Sequence, residues 1–228
     1  MKSYLRIDDF PHGAREMFQK QKPDYRGLVG SMLDVLEEEG TEYILGASPL
    51  LLDEKVDIPF LNNKIKTGWV VMHGFDHGWR FKGKWVDMKD NWKYGGEFRA
   101  KTKKKLRKQY NNSDRILRQI KRYDPKHFIA PFNAVNQPII DVLIEKGVVH
   151  LHGCDKEYDE LEQCKLEFGK LKVVLSLWQK TYCDCKKVIE NFQENDSQIT
   201  LHWIYDSEHA GWLDDYRELC KLVNRRNA

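Results

Sequence analysis

A chain of 228 residues, 41% hydrophobic and 12% aromatic, carries enough apolar surface for a well-buried core, which excludes a disordered chain. Its 38 Lys and Arg nearly balance 35 Asp and Glu, leaving +3, so the protein as a whole lacks the strongly basic footprint of a nucleic-acid binder. No apolar stretch approaches the roughly 20 residues that span a bilayer. The start turns polar at Asp8 and Asp9 with no apolar secretory core, which predicts a cytoplasmic protein. The five cysteines, Cys154, Cys164, Cys183, Cys185 and Cys220, have no framework spacing and fit reduced thiols. Cys183 and Cys185 read as helix-face residues ahead of a metal pair.

Short apolar runs alternate with helical patterns along the chain. Tyr4-Leu5-Arg6-Ile7 reads as a strand that ends in Asp8-Asp9-Phe10-Pro11. Leu28 to Glu39 has apolar residues at helical spacing and stops at Gly40, a residue suited to the left-handed helix end. Glu42 to Leu45 and Trp69 to Met72 are strand-like, the second running into His73-Gly74. Ser113 is expected to cap a helix with Ile116, Leu117 and Ile120 inward. His127 to Ala130 is a strand stopped by Pro131, and a helix opens at Asn136 or Gln137 with Pro138 in its first turn. Strands are expected at Val148 to Leu151, Leu171 to Leu177 and Ile199 to Leu201, with helices at about Cys183 to Phe192 and Ala210 to Leu222. Such alternation means parallel pairing through crossovers, an α/β sheet or barrel of one domain over 1–228, with chemistry at the C-terminal ends of the strands.

Four groups of residues fall at those ends. Asp8 and Asp9 either bind a cation and reach a water, or form an ordinary polar turn. His73 and His77 stand four residues apart; on a helical turn they share one face, as two ligands of one metal do, and the alternative is a pair of surface histidines. At Ala130-Pro131-Phe132-Asn133 the proline stops a strand and frees the following N–H groups. His202 follows the last clear strand, as a catalytic or a structural imidazole. Together they supply what metal-assisted hydrolysis asks for. His150 and His152 share one strand face and, with Cys154, form a rival metal cluster; pocket lining or packing suits them better, because a site needs three or four convergent ligands.

In order and spacing, Ile7-Asp8-Asp9-Phe10, His73 to His77, Phe128 to Asn133 and Thr200-Leu201-His202 resemble the motifs of the polysaccharide deacetylases, also called carbohydrate esterase family 4 or NodB-homology domains. The resemblance runs from residue 4 to about residue 204. It implies a distorted (β/α) barrel of about seven strands and a divalent metal, zinc first, held by Asp9, His73 and His77. It further implies that Asp8 is the general base, that His202 is the general acid for the leaving amine, and that a backbone N–H near Phe132 holds carbonyl charge. Where the family's corner carries Arg, this chain has Ile129. Asp8 is therefore expected to lack the cation that keeps it ionised, and the acidic limb of the pH–rate profile to lie higher than in members that keep the Arg. The family's acid before a late tryptophan has no clear match; Asp155 and Ser176-Leu177-Trp178 are nearest.

From Trp79 to Tyr110, twelve Lys and Arg face only Asp87, Asp90 and Glu97, and Trp79, Phe81, Trp85, Trp92 and Tyr94 are interleaved among them. This segment, an insertion at about 79–110, suits packing on the barrel, contact with a glycan or lipid-phosphate, or single-stranded nucleic acid. With Pro131, Phe132, Asn133, Trp79 and His152 as substrate contacts, the chain is expected to remove the N-acetyl group of an acetylated sugar precursor, phosphate- or lipid-linked. The alternatives are an amidohydrolase of the same fold acting on a small non-sugar amide, and a degenerate barrel that binds glycan without catalysis.

Overall fold

The computed structural model describes residues 4–11, 25–76, 80–81, 84–85, 97–98, 101–131, 135–154, 166–176, 189, 198–203, 207 and 210–228. In chain order the strands are β1 (Tyr4–Phe10), β2 (Tyr43–Ala47), β3 (Trp69–His73), β4 (Arg80–Phe81), β5 (Lys84–Trp85), β6 (Tyr123–Ile129), β7 (His150–Cys154), β8 (Lys172–Ser176) and β9 (Gln198–Leu201). The helices are α1 (Tyr25–Glu38), α2 (Asp57–Lys64), α3 (Lys103–Leu117), α4 (Gln137–Glu145) and α5 (Trp212–Asn227). Seven strands form one all-parallel sheet in the order β8-β7-β6-β3-β2-β1-β9, curled into the expected distorted (β/α) barrel with its seam between the edge strands β8 and β9.

Alternation along each strand divides the apolar residues into two sets. Leu5, Ile7, Leu45, Val70, Met72, Phe128 and Leu151 point outward and pack with the helices in the main core. Ile44, Val71 and Ile129, with Tyr4 against them, form a separate small cluster inside the curl. The interior positions of β1 are the polar Arg6 and Asp8, both almost fully buried. The interior of the curl thus holds this small apolar cluster together with buried polar side chains, and the acidic pair sits near the end where β1 finishes.

Two helices differ most from expectation. The helix expected to begin at Ser113 begins ten residues earlier, at Lys103, with the Thr102 side chain accepting from Lys105 N–H at 3.3 Å. Leu106, Tyr110, Ser113 and Leu117 make one buried stripe at helical spacing, so Ser113 is an interior residue of α3 and no cap. The lysine run is the first two turns of this helix; Lys103 and Arg107 pair with Asp141 and Glu145 of α4, while Lys104, Lys105 and Lys108 are exposed. Helix α2 has no counterpart in the periodicity, because its apolar face is weak and Pro59 sits in its first turn. It is pinned through buried Asp57, which accepts from Tyr25 Oη at 2.6 Å, Arg26 Nε at 2.9 Å and the Asp53 N–H at 2.7 Å. The helix expected at about Cys183 to Phe192 lies almost wholly outside the described residues.

Candidate active site

Strand β1 does not stop before the acidic pair; it runs through Asp8 and Asp9 to Phe10. Its register with β2 moves from Ile7↔Leu45 to Phe10↔Ala47, so β1 holds one extra residue there. A bulge of this kind re-aims side chains. Asp9 takes φ +73°, a left-handed conformation that Asp tolerates better than most residues and that is frequent where a side chain is held for function. The two carboxylates consequently have different surroundings.

Asp8 points into the barrel and is gripped by Arg6, two residues back on the same face: Nε donates to Oδ1 at 2.9 Å and Nη2 to Oδ2 at 2.5 Å. Burial pushes the Asp8 carboxyl up. The opposing pull of the Arg6 guanidinium, with help from His73 and His202, overrides it and holds the carboxyl below its ordinary value. The expectation that Ile129 leaves Asp8 without a cation is thereby corrected. The cation comes from the strand that carries Asp8.

Asp9 meets two imidazoles. His73, the last residue of β3, places Nε2 3.1 Å from Asp9 Oδ1, and His202, just past β9, places Nε2 3.9 Å from Asp9 Oδ2. The other ring nitrogen of His73 lies 3.4 Å from the Ile129 carbonyl, so the tautomer protonated on Nδ1 donates there and leaves Nε2 as an acceptor, while the tautomer protonated on Nε2 donates to Asp9. In the first tautomer Asp9 Oδ1 and His73 Nε2 are two acceptors 3.1 Å apart, a spacing that suits a shared cation, since two ligand atoms on a tetrahedral zinc with bonds of ~2.0–2.1 Å lie about 3.3 Å apart. Asp9 and His73 therefore fit a divalent metal. Among the described residues no three His, Cys, Asp or Glu side chains form a complete ligand set, and His77, the third expected ligand, lies outside the described residues.

The turn after His73 is not the helical turn assumed for the His73/His77 spacing. Gly74 takes φ +61°, and a Cβ there would stand 2.2 Å from Glu97 Oε2 and 2.3 Å from Pro131 Cγ, so only glycine fits. Glu97, fully buried, accepts from the Phe75 N–H at 3.0 Å through both oxygens and from the Asp76 N–H at 3.3 Å, with Lys101 Nζ 3.7 Å away. In the sequence Glu97 is one of the few acids of a basic run; nothing local shows that it is buried under the turn after His73. Pro131 is buried against that turn. Phe132, Asn133 and Trp79 lie outside the described residues.

Burial, then the charge of Asp76, raise the Glu97 carboxyl to about 7 against the opposing Lys101. The folded protein thus holds this proton more tightly than the unfolded chain, so its stabilising contribution is complete below the unfolded value of 4.5 and is lost as pH rises through about 7. The shift corresponds to on the order of 3 kcal/mol. In denaturant titrations at pH 5, 6 and 7, the stability of Glu97→Gln is expected to rise relative to wild type as pH increases. A constant difference would show that Glu97 does not titrate in this window.

The rival histidines lie below. His152 is fully buried, with Nδ1 2.9 Å from Gln198 Nε2 and Nε2 2.8 Å from His127 Nδ1, while the His127 and His150 rings stack at 4.4 Å. Burial, then Arg6 and His127, hold His152 well below its usual value, so it is neutral. Both of its nitrogens are committed, to Gln198 and His127, so in this arrangement neither is open to a substrate or a metal; the Cys154 side chain lies outside the described residues. A cavity of about 640 Å³, lined by Tyr4, Trp69, His127 and His150 among others, opens at the mouth away from Asp9. It is not where the carboxylates gather.

A parallel half-barrel with acidic and imidazole groups at the C-terminal edge of its strands defines the class, a (β/α) barrel. More particularly, the fold is that of the family 4 carbohydrate esterases and polysaccharide deacetylases. A family 4 carbohydrate esterase from Streptomyces lividans in complex with acetate superposes with a TM-score of 0.58 at 13% identity, over 99% of this chain and 89% of that one. A family 4 acetyl xylan esterase from Clostridium thermocellum with a cobalt ion gives 0.58 at 12% identity, over 99% and 85%. A pseudoenzyme of the same family from Bacillus anthracis gives 0.55 at 9% identity, over 99% and 61%. No family model and no curated protein matches the chain.

Proposed function

We propose that the chain is a metal-dependent deacetylase that hydrolyses the N-acetyl group of an acetylated sugar or polysaccharide precursor. One observation carries this reading: Asp8, Asp9, His73 and His202, from three strands of the sheet, meet at one edge with Asp9 Oδ1 and His73 Nε2 spaced as ligands of one cation. Asp9 and His73 would hold the metal, with His77 as third ligand and zinc the first candidate for N and O donors. When bound, the cation supplies Lewis acidity at the acyl carbonyl and at the attacking water.

The residues of the chain supply the proton transfers. Asp8, held ionised by Arg6, takes a proton from the attacking water; each carboxylate oxygen has two lone pairs, and Arg6 uses one of each. His202, half-open at the edge and near Asp9, gives a proton to the departing amine. Trp79, Phe132 and Asn133 remain the proposed substrate contacts, and the basic segment ahead of α3 suits a phosphate-bearing or other anionic precursor. Among the described residues no helix is long and apolar enough to cross a membrane.

One observation favours a second reading, a glycan-binding barrel without activity: both Asp8 oxygens already accept from Arg6. Acetate assays on a panel of N-acetylated sugars separate the two. The deacetylase reading expects acetate release that chelation abolishes and zinc restores; zinc binding with no release from any sugar favours the silent binder.

A further inference from the structure

Arg6 is a charged residue at an interior position of β1, a strand paired on both sides, where an aliphatic side chain would pack without any desolvation of charge. A buried ion pair is weak support for stability, since apolar residues of similar volume often serve as well. Its presence beside the acidic bulge therefore asks for another explanation. We propose that Arg6 is the positioning residue of the site, fixing the plane of the Asp8 carboxylate so that its remaining lone pairs face the Asp9–His73 edge. The proposal rests on the deacetylase reading of that edge.

Three features support it. The contact is the two-pronged guanidinium–carboxylate fork, which sets orientation as well as distance, and lysine has no equivalent of it. Both side chains are nearly sealed, at 2% and 4% exposure, and among the described residues the hydrogen bonds to the Asp8 carboxylate come from Arg6. On the neighbouring strand β2 the carboxylate faces a glycine. A Cβ on Gly46 would lie 3.3 Å from Asp8 Oδ1, 3.2 Å from His73 Cβ and 3.0 Å from Ile129 Cδ1, so the carboxylate sits over a bare backbone beside an aliphatic tip. The same distances place residue 129 within reach of Asp8, where an arginine introduced from β6 could take up the fork.

The test uses the zinc-loaded full chain and three variants: Arg6→Lys, Arg6→Met and Arg6→Met with Ile129→Arg. Melting temperatures and zinc titrations accompany kcat and KM for acetate release, and crystal structures report the Asp8 carboxylate. For Arg6→Lys, which keeps the charge, kcat is expected to fall about 10²-fold, the scale of an ångström of misplacement, with KM and zinc affinity near wild type. Ile129→Arg is expected to restore part of the kcat lost in Arg6→Met. In the crystal structure of Arg6→Met, or of Arg6→Lys if the methionine variant does not fold, the carboxylate is expected to turn away from its wild-type plane. Wild-type kcat in Arg6→Lys, or an unmoved carboxylate in the variant structure, overturns the proposal. If wild type releases no acetate from any sugar, the deacetylase reading fails, and the carboxylate plane alone then decides whether Arg6 positions Asp8.

Discussion

Asp8→Asn is expected to lower the rate of acetate release by ~10²–10⁴-fold, the contribution of a positioned general base, while zinc affinity stays close to wild type. The amide is isosteric and can still accept from Arg6 Nε through its oxygen, but its NH₂ opposes the donor Nη2 and it cannot accept a proton from water at neutral pH. The variant also leaves a buried guanidinium half-paired. A loss of stability approaching the ~3–5 kcal/mol of a broken buried pair is expected alongside the kinetic defect. The two effects are separable, because kcat measured well below the variant's own melting temperature reports the base and the melt reports the pair. A folded Asp8→Asn enzyme with wild-type kcat would remove Asp8 from the chemistry.

His73→Ala carries the second large effect. His73 gives Nε2 to the Asp9 edge, and its ring is oriented by the Ile129 carbonyl, so alanine deletes a proposed ligand together with its orienting contact. Losing an outer partner of a metal ligand typically costs 10–100-fold in affinity, and losing the ligand itself is expected to cost more than about 100-fold. Zinc titration by calorimetry against a competing chelator measures this directly. Acetate release should fall with zinc occupancy, and an unchanged affinity would place the metal elsewhere.

Much of this edge was legible in the sequence because it sits where apolar runs stop. Parallel strands buried on both faces read as continuous apolar stretches, and the polar residues that end them, Asp8-Asp9, His73 and His202, mark their C-terminal ends. What the sequence concealed has physical reasons. The Asp9 conformation and the extra residue in β1 arise from pairing with β2, which no local pattern records. Glu97 is buried by a turn more than twenty residues earlier in the chain, and only Gly74, a residue with φ > 0 between two candidate ligands, hinted that something approaches closely there. Arg6 was readable in principle: two residues before Asp8 on a strand means the same face, so an arginine there must meet the carboxylate or point away from the core. His152 shows the converse, since alternation set it on one face with His150 but could not say that Gln198 and His127 would take both its nitrogens.

The central claim is that Asp9 and His73 hold a divalent cation at the edge where Asp8 and His202 act. Anomalous diffraction from zinc-soaked crystals, recorded on both sides of the zinc absorption edge, tests it most directly. One peak per chain is predicted, between Asp9 Oδ1 and His73 Nε2, with His77 completing the ligands. A peak seated on His127 and His150 at the opposite mouth, or no peak in protein that remains folded at saturating zinc, would contradict it.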